Sequence, residues 1–431
     1  MALGIACGCL VTDARAGELG YSLGVRGEST DNVRRAPVNE EHESINAVLA
    51  KVSYIETSPT MNLRLAPSVE YLNYQKNTFD DESRVELDAV GVWKISPERV
   101  TWSFEDYARQ VLLNPTLPET PANVTTANYF STGPDFYAHL TPISTLQFGA
   151  RYGRVTADDA DVDSDRTQVY AHGVYRYSPR TTLSLNVDFM KADFDNKARN
   201  TDFTRRDSYV RAETQRQSSD VTLDLGVTAI ERDRGDDVHE GLVRASWIRK
   251  LAPSSRVVFL AEAGLSDIGN ELAASGAASA RPLDGLTPST SQNLLIEDVF
   301  RVQRTEFYYH NSGVRFGTTL RLFGRDLEFL ETPADDREEH GGGIELTYLY
   351  SRTVAAALFA DRQRDRYQNQ VLSDTDTSAG VRLSHRLSAT LSLVIEVWRE
   401  ERDSTNPTRE FVDDRAFIAL LYKGGPAARE R

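Results

Sequence analysis

From residue 18 onward the chain alternates apolar and polar positions with a period of two, the signature of strands with one greasy and one wet face. The clearest case is Val169–Met190. Val169, Ala171, Gly173, Tyr175 and Tyr177 alternate with Tyr170, His172, Val174 and Arg176. Beyond Ser178-Pro179-Arg180-Thr181, Leu183, Leu185, Val187 and Phe189 alternate with Ser184, Asn186 and Asp188. Proline fixes φ and cannot donate to a ladder, so the tetrapeptide is a tight tip and the whole is an antiparallel hairpin.

The unit recurs. Tight tips fall near Pro59, Pro97, Pro142, Pro179, Ser218, Pro253, Ser312, Arg352 and Ser388, about 40 residues apart. They alternate with longer loops rich in Asp, Asn and Gly. The alternation is weakest around Phe136 and Tyr209, and Asp267–Asn293 is an irregular insertion rich in Ala, Ser, Gly and Pro. A β-propeller has a similar period but needs four short strands per repeat, whereas each repeat here holds two long runs. The expected fold is therefore an all-β, antiparallel up-and-down transmembrane β-barrel of about 20 strands, or 16–18 if the weak runs fail. Unpaired strand edges in lipid are too costly to leave open, so the barrel must close. Short turns then face the periplasm and the longer loops face outside. Tyr54, Trp93, Trp102, Tyr177, Trp247, Tyr350 and Tyr422 lie near tight tips or the C-terminus, where a periplasmic aromatic girdle belongs.

Composition narrows the environment. The 431 residues are 40% hydrophobic and carry a net charge of −15, with a mean hydropathy of −0.44. No apolar run is long enough for a membrane helix, which leaves strands as the means of crossing. The acidity and the absence of a basic block argue against nucleic acid as a partner. The only cysteines, Cys7 and Cys9, lie in the apolar segment Ala2–Val11, which precedes Ala14-Arg15-Ala16. This small-x-small pattern predicts a signal peptide over residues 1–16, abbreviated at its N-terminal end. The barrel is expected over 17–422 and a polar tail over 423–431. The setting is a Gram-negative outer membrane, with its lipid as the first partner.

With the apolar set against lipid, the alternate set lines the lumen. It contains Arg64, Glu86, Asp88, Arg151, His172, Arg176, Asp188, Asp224, Arg244, Glu262, Arg315, Arg321, Glu345, Arg382, Glu396 and Arg415. These charges admit two readings, ion pairs within the wall or a polar track for a hydrophilic solute. The Asp267–Asn293 insertion is the candidate for an infolded constriction or outer lid, against a plain surface loop. No Gly-x-Ser-x-Gly elbow, phosphate loop or metal-spaced histidine cluster occurs, so no catalytic, cofactor or metal residues are assigned and no enzyme is expected.

Three hairpins, TYLYSRTVAAALFADRQRDRY, VRLSHRLSATLSLVIEVWRE and VFRVQRTEFYYHNSGVRFGTTLRLFGRDLEF, join an aromatic or Leu run to a tight tip and a strand ending in charge. In this the chain resembles the β-barrel porin type 2 group, and within it the outer-membrane proteins of exopolysaccharide and PEP-CTERM (exosortase) systems. It departs from the usual aromatic terminus of barrel proteins, since KGGPAARER follows Tyr422. The resemblance implies an outer-membrane channel for exopolysaccharide secretion, with polysaccharide or periplasmic secretion components as partners. The alternatives are a general porin for solute uptake and a non-conducting scaffold or adhesin.

Overall fold

In the computed structural model the residues described are 17–114, 116–158, 161–278 and 299–425, with backbone alone at 275–278. Among these, twenty strands form one sheet. The first seven are β1 (Glu18–Thr30), β2 (Glu43–Thr57), β3 (Met61–Tyr74), β4 (Glu82–Ser96), β5 (Val100–Leu112), β6 (Val124–Thr141) and β7 (Ser144–Ala157). The next six are β8 (Ser164–Ser178), β9 (Thr181–Phe194), β10 (Phe203–Arg216), β11 (Ser219–Arg232), β12 (Val238–Ala252) and β13 (Ser255–Ser266). A helix, α1 (Ile268–Ala278), interrupts the series. It resumes with β14 (Phe300–Ser312), β15 (Phe316–Phe329), β16 (Arg337–Leu349), β17 (Val354–Tyr367), β18 (Leu372–Arg386), β19 (Leu391–Ser404) and β20 (Phe411–Gly424).

Each strand pairs antiparallel with its neighbours in sequence, and β20 returns to β1, from Tyr21 opposite Gly424 to Thr30 opposite Arg415. The sheet is thus a closed meander without an edge. Both uncertain runs are strands, as β6 and β10. β6 starts at Val124, well before the weak alternation around Phe136, and follows a loop from Asn114. Asn123 closes that loop on itself, its amide donating to the carbonyls of Asn114 and Pro118, and the β-branched Val-Thr-Thr that follows favours an extended chain. β20 runs to Gly424.

The alternation of exposure settles which face is which. Along β11, Leu223 and Leu225 are 37% and 51% exposed while Asp224 between them is 1% exposed. A water-soluble protein does the reverse. Val48, Leu185, Val227, Leu358 and Val397 repeat the pattern around the ring. An apolar band on the outside of a closed barrel is a lipid-facing surface, and the protein is an outer-membrane β-barrel. Among the described residues no helix is long and apolar enough to cross a membrane.

Six of the seven aromatic residues expected at the periplasmic girdle lie toward the short-turn or C-terminal ends of their strands. Trp93, Trp102, Tyr177 and Trp247 are exposed outward, and Tyr422 packs 6.1 Å from Tyr21 across the closing seam. Trp102 and Trp247 direct their indole N–H to Thr132 and Ser219, and the Tyr54 hydroxyl donates to Glu56. Tyr350 lies one residue past β16, in the turn itself. A strand of 14 residues spans roughly 46 Å, or about 35 Å at the usual tilt. That exceeds an apolar band about 25 Å tall, and the surplus appears at the long-loop ends. There the outer face becomes polar, with Tyr71 donating to Asp81, Arg154 bridging Asp165 and Asp195, and Arg206 pairing with Glu231.

Candidate functional site

Period-two alternation carries the inner face of the wall into the lumen, and arginine dominates it. The whole chain has 42 Arg and 7 Lys. A planar guanidinium can satisfy carboxylates on two neighbouring strands at once, which a lysine point charge does less well. Arg26 reaches Glu28 and Glu70, Arg415 reaches Glu28 and Asp413, and Arg382 reaches Glu345 and Glu396. Arg211 pairs with Asp224, Arg151 with Asp135, and Arg109 with Asp88.

All but one of the residues expected on the lumen face lie in strands. His172 Nε2 is 2.8 Å from Asp188, Arg321 pairs with Glu306, and Arg244 lies between Asp207 and Glu262. Glu86 accepts from Ser68 at 3.5 Å. Arg64 is half-buried on β3, and Arg176 is exposed near the tight-turn end of β8. Arg315 is the exception: it sits in the turn between β14 and β15 and is exposed there. β14 runs on to Ser312 and β15 begins only at Phe316, so Arg315 falls in the turn on the periplasmic rim.

The insertion supplies what the wall alone does not. α1 leaves the long-loop end of β13 and packs Ile268 and Leu272 against Val111 on β5, Ala127 on β6 and Val155 on β7, with Val162 beyond. These strands are six to eight places from β13 in the closed ring, so the helix crosses the lumen near its outer mouth. Polar latches hold both sides. Arg166 of β8 donates to Asp267 at 2.5 Å, while Glu271 binds Arg304 of β14 at 2.5 Å and accepts from Ser266. Asp267 also caps the helix, its carboxylate accepting the backbone N–H of Gly269 at 2.7 Å and of Asn270 at 3.2 Å, which satisfies donors that a helix start leaves orphaned. At Gly269 a Cβ would come within 2.6 Å of Arg166 Cζ, so a larger residue there would make that guanidinium shift.

The insertion is therefore an infolded segment through Ala278, and residues 279–298 of it are outside the described residues. Asp267, Arg166, Arg205, Leu272 and Arg304 were not among the expected site residues. An Asp before a first turn carrying Glu271 and the helix-forming Leu272-Ala273-Ala274 is the signal that could have found this helix. The docking of that helix on particular arginines has no local signal.

Burial by itself would push the Asp267 carboxyl up, but Arg166 and Arg205, with the backbone donor Asn270, outweigh it and hold the group below the ordinary aspartate range. A depressed folded value means the latch is intact above the unfolded aspartate pKa of about 3.9 and is lost only as pH falls through the lower folded value. Conductance of the reconstituted protein is expected to be flat from pH 7 to pH 5 and to rise below the ordinary aspartate range. A rise already complete at pH 5 would mean that Asp267 does not hold the helix.

Below α1 lies a cavity of about 210 Å³ against the inner wall from β6 to β10 and at β12. Arg151, Arg166, Arg205 and Arg244 face it together with Asp188 and Asp207, and Asn270 reaches it from the helix. Arg205 donates through Nε to Asp207 at 2.9 Å. Asp207 also accepts from Thr228 at 2.6 Å.

No family model and no curated protein matches the chain. Solved structures with a similar course are outer-membrane barrels. OccK2 (OpdF) of Pseudomonas aeruginosa is 11% identical, with 94% of this chain and 98% of that one covered and a TM-score of 0.39. The siderophore receptor PirA of the same organism is 12% identical, covering 96% and 81% with a TM-score of 0.44. A BenF-like porin of Pseudomonas fluorescens Pf-5 is 9% identical, covering 95% and 100% with a TM-score of 0.40. At these values the likeness transfers neither residues nor function. The porin-like barrel stands on the chain's own closed sheet, and the comparisons give the exopolysaccharide resemblance no support.

Proposed function

We propose that this barrel is a passive outer-membrane channel for small hydrophilic solutes. The observation that carries the reading is α1 lying across a charged lumen at its outer mouth. A barrel of this strand number is wide enough for an aqueous space, and a helix about 10–12 Å across narrows that space without requiring closure. The inner wall carries charged pairs on most strands, interrupted by apolar clusters such as Leu49, Trp398, Phe417 and Leu421, and the charged stretches suit water and small polar molecules. The role is transport, with no catalytic residue invoked.

The secretion of exopolysaccharide is the second reading, favoured by the three hairpins that resemble barrels of that group. A cross-lumen helix favours a small solute over a polymer several sugars wide. Two measurements separate these readings. The purified protein in planar bilayers with KCl is expected to give discrete ohmic steps. Silence at every pH and voltage would leave a scaffold or adhesin instead. Deletion in a native host is expected to leave surface polysaccharide intact, and its loss would favour export.

A further inference from the structure

On the outer face, three arginines toward the long-loop ends are each held by a carboxylate. Arg154 pairs with Asp165 and Asp195, Arg206 with Glu231 and Arg399 with Asp414. β17 is different. Arg362, Arg364 and Arg366 follow one another on its outer face, and all three are exposed. They share parity with Leu358, which is 57% exposed toward lipid, while Gln363 and Asp365 between them bond to each other on the lumen side. Among the described residues no carboxylate pairs with any of the three, and Arg364 Nε instead donates to Ser373 Oγ at 3.3 Å. β18 lies alongside with hydroxyls: Arg362 is in register with Thr377, Arg364 with Thr375 and Arg366 with Ser373. On the other side β16 sets Gly342, His340 and Glu338 against the same three. Glu401 and Asp403 of β19 lie one strand beyond the hydroxyls, about 9–10 Å from the arginine row.

Height decides what these charges meet. Counted from Val354 at the short-turn end of β17, Arg362 stands about 20 Å up the barrel and Arg366 about 30 Å. The top of an apolar band about 25 Å tall falls between them. Below it Leu346, Leu358 and Val381 are exposed to lipid, and the short residues Ala360 and Ala379 lie directly beneath the arginine row. A guanidinium at this edge keeps its stem on apolar surface, extends its head to the polar boundary and presents paired N–H donors that fit phosphate oxygens. We propose that the outer face of β16–β18 binds the phosphorylated disaccharide head of lipopolysaccharide, the glycolipid of the outer leaflet. Its acyl chains run down over Leu358 and Val381. Three positive charges beside three hydroxyl groups match a head with two phosphates better than the single phosphodiester of a glycerophospholipid. The inference goes beyond the channel reading and does not depend on it.

The test uses the full chain in detergent, with native mass spectrometry reading the bound lipid. Bis-phosphorylated lipid A is the probe, its monophosphoryl form and phosphatidylglycerol are the comparisons, and inorganic phosphate is the free competitor. Lipid A is expected to bind, with the monophosphoryl form and phosphatidylglycerol at least about tenfold weaker, and millimolar phosphate is expected not to displace it. Each arginine at a charged lipid surface contributes about fivefold in affinity. Arg362→Gln, Arg364→Gln and Arg366→Gln together are therefore expected to weaken lipid A by about a hundredfold. Arg154→Gln with Arg206→Gln, which removes outward arginines already paired, is expected to change it by less than about twofold. A variant counts as folded only if it keeps the mobility shift of the unheated barrel. If the triple variant lacks that shift, Arg364→Gln alone takes its place, with about fivefold weakening expected. Unchanged affinity in the folded variant, an equal loss in the paired control, or phosphatidylglycerol binding as tightly as lipid A overturns the site. Displacement of lipid A by inorganic phosphate would mark a free-anion site and overturns it as well.

Discussion

Leu272→Asp is expected to raise the single-channel conductance by roughly twofold or more. Leu272 is 1% exposed and packs with Ile268 on Val111, Val155 and Val162. Truncating a leucine in such a setting costs about 2–5 kcal/mol, and a carboxylate there adds the penalty of an unpaired buried charge. The latches, the buried pair Asp267–Arg166 and the partly buried pair Glu271–Arg304, do not remove the penalty of a new unpaired charge at position 272. The helix therefore leaves the wall while the sheet, which has all its backbone pairs, stays closed. A helix about 10–12 Å across occupies on the order of half the width of a mouth set by twenty tilted strands, and this sets the expected gain. An unchanged step size with a folded variant would show that α1 does not lie in the conducting path.

The second large effect concerns the outer face. Leu225 is 51% exposed, sits mid-strand on β11, and is flanked in register by Val210 and Val243. Leu225→Arg is expected to destabilise the folded barrel by about 2–4 kcal/mol, the cost of a guanidinium at the bilayer midplane. The same change at Gln147, whose register partners include His172 on the lumen side, is expected to cost under about 1 kcal/mol. Equilibrium unfolding in urea, from vesicles, measures both. Comparable costs at the two positions would mean that the faces have been assigned the wrong way round.

How much could be read from the chain varies by element, and the reason is physical. Lipid demands an uninterrupted apolar face, so β8, β9 and β11 announce themselves by alternation alone. β10 does not. Its inner face carries Arg205, Asp207, Tyr209 and Arg211, and its outer face begins with Arg206 and Ser208, so only Val210 and Ala212 mark the lipid side. Arg205 and Asp207 pair with each other, and Arg211 and Arg244 lie over the Tyr209 ring. The strand is secured by polar partners on its neighbours, which periodicity does not register. β6 was obscured in another way, by a loop whose boundary is fixed by Asn123 side-chain bonds rather than by composition.

The lumen shows the same division more sharply. Asp188 could be placed on the inner face by counting in twos from Leu185 and Val187, and His172 likewise from Ala171. That His172 and Asp188 meet depends on the β8–β9 register, which sets His172 beside Asn186 and Tyr170 beside Asp188. Arg315 shows the limit of counting, since β15 begins one residue beyond it and leaves it in the turn.

The sequence by itself determined the closed antiparallel barrel, its polarity of short turns and long loops, its lipid face and the sign-mixed lumen face. Each follows from constraints acting within a strand or between strands adjacent in sequence: a period of two, a proline at a tip, an edge that cannot be left unpaired in lipid. Only the tertiary structure decided that both weak runs are strands and the number is twenty, that Ile268–Ala278 is a helix crossing the mouth, and that Arg166 and Asp267 meet beneath it. Those features arise between residues about a hundred positions apart, as with Arg166 and Asp267. Their pairing is set by where the ring brings strands together across the lumen, a distance that no local pattern encodes.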